Sequence, residues 1–346
     1  MADLENATRF GAFAIPSSDR DGRDLLLIVV AARFHLPTPR TSGADLLPVE
    51  VQAPPPRVET YCGEPGQSSV RLEGQAGYTR PATDIYVWGQ ACAPKARPIE
   101  RMEVSIQVGP CSTRLCVFGE RVWQRSLARG AVPSAPEAFV AMPLVWERAF
   151  GGVAPESSEA RPLFEPRNPV GCGLRASARD AVDQPVPNIE DPRNSISCLA
   201  DRPAPLGVGP IARNWQPRLG YAGTYDGAWQ RQRAPLWPTD FDERFFCAAP
   251  EALQARPHLQ GGERVVMEGL HPEGSIAFSL PKLRFITRSR FSDREIRRSL
   301  ILDGVLIDTE IMQLTMYYRG TVEAPLALVK HRETLLRLLE PWECLA

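Results

Sequence analysis

The sequence predicts a mainly β protein: a sandwich or barrel-like antiparallel core, a long Pro/Gly-rich irregular middle layer, and one C-terminal helix. Three observations carry that expectation. Short runs of β-branched and apolar residues, several alternating with polar ones, occupy both ends of the 346-residue chain. Proline reaches 34 residues, about twice ordinary usage. A residue without an N–H and with a fixed φ excludes long helices and central strands wherever it clusters. Between about residues 150 and 242 neither a period of two nor one of 3.6 persists.

Taken in order, residues 25–36 form the first strand, because the run is apolar and β-branched and Pro37 stops it. Residues 83–91 alternate around Ile85 and Val87. Residues 102–108 set Met102, Val104, Ile106 and Val108 on one face against Glu103, Ser105 and Gln107 on the other. Gly109-Pro110 breaks that strand, and Leu115-Cys116-Val117-Phe118 follows after a short turn, which predicts a hairpin. A further strand, ending at Trp123, continues the meander. The middle region carries Trp215, Tyr221, Tyr225, Trp229 and Trp237. A disordered stretch would be poor in such rings, so a folded layer lying against the sheet is expected.

Strands return at 263–270, 276–280, 283–287, 299–307 and 313–318, with a turn signal at His271-Pro272-Glu273-Gly274. Asp303-Gly304 lies between two apolar triplets and reads either as a tight hairpin or as a bulge inside one strand. Leu328, Val329, Leu335, Leu336 and Leu339 fall at helical spacing before Pro341, and these predict the C-terminal helix. The expected organisation is one unit over 1–346, with N-terminal strands in 1–150, the irregular layer in 151–250, and C-terminal strands and helix in 251–346. A two-domain split near residue 150 is the alternative.

Composition narrows the function. Lys and Arg total 40 against 41 Asp and Glu, so no global basic field draws the chain to nucleic acid or an anionic membrane. The opening Met-Ala-Asp-Leu-Glu-Asn lacks the features of a secretion signal, and the longest apolar run, residues 25–32, is far short of the roughly 20 residues of a membrane helix. A cytoplasmic protein with reduced cysteines is expected; its eight Cys are dispersed without a CxxC, and the nearest pair, Cys111 and Cys116, flanks the expected hairpin turn.

Enzymatic signatures are weak. Gly66-Gln67-Ser68-Ser69-Val70 lacks the last glycine of a nucleophile elbow, no phosphate loop is complete, and His35, His258, His271 and His331 are scattered. Asp240-Phe241-Asp242-Glu243 is the best carboxylate cluster. Asp240, Asp242 and Glu243 either serve a metal-dependent hydrolase or, with more weight, begin a short capped helix at 243–247. No catalytic residue, metal or cofactor is expected. Trp215, Tyr225, Trp229 and Trp237 are the candidate partner-binding residues, since large amphipathic rings on stiff loops anchor interfaces; core filling is the competing reading for each. Asp84 and Arg121 lie in or beside strands and are expected to form a structural ion pair.

The order of short motifs adds a resemblance. Arg80-Pro81-Ala82-Thr83-Asp84-Ile85-Tyr86-Val87-Trp88-Gly89 is followed by Gly119-Glu120-Arg121-Val122-Trp123 and by Met142-Pro143-Leu144-Val145-Trp146-Glu147-Arg148-Ala149-Phe150-Gly151-Gly152. Asn168-Pro169-Val170-Gly171, Pro187-Asn188-Ile189-Glu190, Gly207-Val208-Gly209-Pro210-Ile211, Trp215-Gln216-Pro217-Arg218, Gly223-Thr224-Tyr225-Asp226 and Pro238-Thr239-Asp240-Phe241-Asp242 come next. In this order and over nearly the whole chain, the motifs resemble a bacterial family labelled a domain of unknown function. Its members are similar to adaptor-chaperones encoded beside type VI secretion spike genes. The resemblance implies a cytoplasmic, non-catalytic protein whose partners are an effector (toxin) protein and a VgrG-type spike or its tip. A structural component of the secretion apparatus is the other non-enzymatic reading. Ala31-Ala32-Arg33 and Arg80 stand where the family has lysine, and Glu120 where it has aspartate.

Overall fold

The apolar run near the N-terminus forms Asp24–His35, a strand buried along almost its whole length because both of its faces are covered. A computed structural model describes residues 4–155, 157–158, 162–323, 331–340 and 343. Asp24–His35 sits inside a six-stranded sheet whose order is Gln254–Ala255, Thr83–Trp88, Ile301–Asp308, Gln313–Glu323, Asp24–His35 and Gly11–Ser18. Its neighbours are antiparallel except Ile301–Asp308 beside Thr83–Trp88, which run parallel. Leu26, Ile28 and Val30 point into the main core, while Leu25, Leu27 and Val29 join Phe13 in a smaller cluster against Tyr78.

A five-stranded antiparallel sheet has the order Ile189–Glu190, Cys111–Phe118, Arg101–Val108, Arg264–Glu268 and Ile276–Ser279. The alternation expected around residue 104 is realised, with Val104, Ile106 and Val108 wholly or almost wholly buried. A four-stranded sheet has the order Leu4–Asn6, His331–Leu338, Phe285–Phe291 and Glu295–Ser299. One contiguous apolar core takes side chains from all three sheets, among them Val30, Ile106, Phe285 and Leu336. The chain is mainly β, with several antiparallel sheets and, among the described residues, no closed barrel.

Three local expectations are corrected. Leu335 and Leu336 lie in the strand His331–Leu338, not in a C-terminal helix; Leu328, Val329 and Pro341 lie outside the described residues. Leu335, Leu336 and Leu339 mimic a helical stripe, but Leu336 and Leu338 share an inward strand face, and bonding partners on both sides, Phe285–Phe291 and Leu4–Asn6, decide for the sheet. Trp123 begins a strand rather than ending one, and Trp123–Ser126 pairs with Gly130–Pro133, outside the meander. The hairpin turn is confined to Gly109-Pro110, so Cys111 and Cys116 share one strand and, five residues apart, project to opposite faces. Asp303-Gly304 resolves as the bulge: Ile301–Asp308 is a single strand whose register against Gln313–Glu323 shifts between Leu302 and Gly304.

The middle of the chain is folded, as its aromatics foretold. Among its described residues it holds the short helices Ala178–Ala181 and Gly227–Gln232, a few 3-10 turns and the two-residue strands Cys172–Gly173 and Ile189–Glu190. Backbone bonds join it to the sheets, Val87 N–H donating to Val208 at 3.0 Å and Phe118 N–H to Asn188 at 2.8 Å. Trp123, Phe150, Leu174, Val186, Ile196 and Leu199 give part of it a small core of its own.

Candidate functional site

Beneath the middle layer lies a group of buried charges. Asp84 is 0% exposed; its Oδ2 accepts from the Tyr86 hydroxyl at 2.6 Å and the Ala248 N–H at 2.7 Å, and Arg80 Nε stands 3.4 Å away. Burial pushes this carboxyl up, against the opposing pull of Arg80. Asp303, carried inward by the bulge, accepts from Arg319 at 2.6 Å and Arg80 at 3.5 Å. Glu73 accepts from Arg218 at 2.9 Å and Arg213 at 3.2 Å. Burial alone would raise the Glu73 carboxyl, but Arg218 outweighs it and holds it below the usual range. Arg80, Arg218 and Arg319 thus balance Glu73, Asp84 and Asp303 inside the protein.

The expected Asp84–Arg121 pair is not formed. Arg121 donates instead to Glu190 and to the Pro187 carbonyl, because the short strand Ile189–Glu190 pairs with the strand that leads into Arg121. Asp84 is served by the arginine four residues before it.

In the carboxylate cluster Asp240 is tied to a loop, Asp242 is spent on a cap, and Glu243 is the first residue of the capped turn. Asp240 accepts from Thr224 N–H and Oγ1 at 3.0 and 2.8 Å, and these bonds hold it below the usual range. Asp242 caps the 3-10 turn Glu243–Phe246 and accepts from the Arg244 N–H at 2.9 Å and its Nη2 at 2.6 Å. The Arg244 guanidinium holds Asp242 low as well.

The four aromatic candidates are placed differently. Trp215 is 2% exposed and packs edge-on against Trp146, ring centres 6.0 Å apart, so it is a core residue and not a surface anchor. Trp237 is half-buried among Tyr78, Phe241 and Phe246. Tyr225 is 56% exposed and meets half-buried Trp229 edge-on at 4.7 Å. Asp226 caps the helix Gly227–Gln232 by accepting from the Trp229 N–H at 2.8 Å, and Trp229 Nε1 donates to Leu236 at 2.9 Å. Arg233 ties this corner to the N-terminal turn through Arg20 and Asp21. Tyr225 is therefore a solvent-facing ring on a fixed base.

Sequence reasoning missed the hollow in the same layer. A cavity of about 560 Å³ is lined by Trp146, Tyr221, Pro217, Pro250 and four arginines, 167, 218, 244 and 256. Arg244 lies over the Tyr221 ring, 4.3 Å from its centre. Arg167 and Arg244 are each held by a neighbouring carboxylate, while Arg256 donates to the Gln254 side-chain oxygen at 3.3 Å. Cys247 in the wall is pushed up to about 12 by burial, which keeps it a thiol. The walls mix apolar groups such as Trp146 and Ile211 with the arginines, Gln216, Gln254 and Glu251, and Arg218 is already paired with Glu73.

The profile of a bacterial family, described as an uncharacterized protein conserved in bacteria (DUF2169), matches residues 21–319. The chain belongs to that family. No curated protein and no solved structure matches it. In this DUF2169 chain the motifs that ran through the sequence bond to one another. Asn168 Nδ2 donates to the Trp146 and Phe150 carbonyls at 2.8 and 3.1 Å, and Trp146 Nε1 to the Gly209 and Pro210 carbonyls at 3.2 and 3.1 Å. Arg121 holds Glu190, and Thr224 holds Asp240. These stretches of the chain are thus largely the fastenings of the middle layer, and the Tyr225 corner and the cavity lie in that layer.

Proposed function

We propose that this chain is a non-catalytic adaptor that binds a cognate type VI secretion effector in the cytoplasm and helps load it onto a VgrG-type spike or its tip. The observation that carries the reading is the Tyr225–Trp229 corner: an exposed ring braced by a half-buried one on a capped helix, in the same layer as a cavity rimmed with arginine. Rigid aromatic and arginine anchors are the residues that dominate protein interfaces, and a fixed base lowers the ordering cost of binding. The motif order, similar to that of adaptor-chaperones, supplies the secretion context. Engagement of Asp240 by Thr224, of Asp242 by Arg244 and its cap, and of the interior charges by one another supports a binding role over hydrolysis.

An interface of about 1,600 Å² is enough for stable capture of a targeting segment. Release to the spike then requires only that the spike compete for the same segment. The test is genetic. Deleting the gene in its native host should abolish delivery of one effector while others are still secreted; loss of all secretion would instead mark a structural component.

A further inference from the structure

The four-stranded sheet ends on a strand, Glu295–Ser299, that has no further neighbour among the described residues. Two other edges are managed: Ile276–Ser279 is closed by Ser42 and Gly43, whose Oγ and N–H bond Ala277 at 3.2 and 2.8 Å, and Gly11–Ser18 carries Pro16. Glu295–Ser299 instead is exposed except at half-buried Ile296 and carries charged side chains on both faces; of its outward backbone groups, the Arg297 carbonyl accepts from the Arg298 side chain.

The charge around that edge is lopsided. Residues 282–299 hold seven Lys and Arg against Asp293 and Glu295, a net of +5 in a chain whose total is -1, with Glu333 of the neighbouring strand taking up Arg290. Arg288 stands directly opposite Arg297 in the register, an arrangement that opposes sheet formation. A single carboxylate serves both, Glu295 lying 3.9 Å from Arg288 and 3.2 Å from Arg297. Arg297 is 70% exposed at its side chain, and Arg298 reaches only the Arg297 carbonyl, at 3.3 Å. Fold stability alone does not call for this pairing.

We propose that Glu295–Ser299 is a docking edge for an acidic, extended protein segment, which adds as a fifth strand and places alternate carboxylates against Arg297 and Arg288, which share one face of the sheet, Arg298 lying on the other. Backbone groups along the edge bond the incoming chain, and alternate side chains read its charge, the usual division of labour in strand addition. Nucleic acid and lipid headgroups match the charge but cannot use the row of backbone donors and acceptors. This edge lies on the four-stranded sheet, apart from the middle layer, and the inference stands whether or not the chain is an effector adaptor.

The probe is a fluorescently labelled peptide of alternating Glu and Val, titrated by anisotropy against the full chain at low and moderate salt. Controls are the same peptide with Lys for Glu, a version N-methylated at alternate amides, an oligothymidylate, and phosphatidylglycerol vesicles. The acidic peptide should bind, weaken steeply with salt, and lose about tenfold in affinity with Arg297→Glu/Arg298→Glu; the Lys and N-methylated peptides should not bind. An unchanged thermal melt of the double variant shows that its fold is intact. Equal binding of the N-methylated peptide would overturn strand addition. Preference for the oligonucleotide or the vesicles would overturn the choice of partner, and absence of peptide binding would overturn the docking edge itself.

Discussion

Burying Glu73 with Arg218 removes two charges from water, so each depends on the other. Glu73→Gln should destabilise the fold by about 3–5 kcal/mol, the cost of leaving a buried guanidinium without its carboxylate. The pH dependence has a fixed sign. Because the folded carboxyl lies below its ordinary value of 4.5, its contribution is complete above pH 4.5 and is lost as pH falls through the lower folded value. Urea unfolding of the wild type and Glu73→Gln between pH 3 and 7 should therefore show the gap closing on acidification; a pH-independent gap would refute the assignment. At the same scale, Arg121 and Glu190 should be coupled by about 1 kcal/mol or more in a double-mutant cycle, whereas Asp84 and Arg121 should show coupling near zero. Which partner each charge takes was not readable in the sequence. Arg121 finds Glu190 through a two-residue strand with no periodicity of its own, and Asp303 turns inward only because the bulge shifts its register.

At the scale of elements, close approach makes testable demands. A Cβ on Gly207 would stand 2.8–2.9 Å from the Trp146 indole, so Gly207→Ala must displace the ring that fastens the middle layer. It should cost about 1–3 kcal/mol, while Gly63→Ala, whose Cβ would meet Ser68 at an ordinary 3.4 Å, should change stability by less than about 0.5 kcal/mol. Similar losses from both would contradict the fastening role of Trp146. The strands read correctly from sequence are those with a strong pattern, Asp24–His35 and Arg101–Val108 above all. Gly11–Ser18 and Glu295–Ser299 were not foreseen. The first is broken by Pro16 and the second has three charged residues in five, because an edge strand is shaped by protection from pairing as much as by burial. The leucines near residue 336 misled for a related reason, since four-residue spacings satisfy a helix and a strand face alike.

For the whole molecule, the order of motifs made the family readable, and the aromatics correctly signalled a folded middle. Neither separated Trp215, which packs on Trp146 from a distant part of the chain, from Tyr225, which faces solvent. The arginine-rimmed cavity was equally hidden, as its walls come from segments spread between Trp146 and Arg256. If Tyr225 is an anchor, Tyr225→Ala should weaken capture of the partner by about 2 kcal/mol, roughly thirtyfold, with the melting temperature unchanged. Trp215→Ala should instead lower stability by about 3–5 kcal/mol, the ordinary cost of emptying a core tryptophan site. The central claim is tested most directly by affinity purification of the chain from its native host at modest salt, with mass spectrometry of what accompanies it. Recovery of one toxin-like protein together with a spike protein, both lost with Tyr225→Ala, is the predicted result; recovery of neither from cells that make both would contradict it.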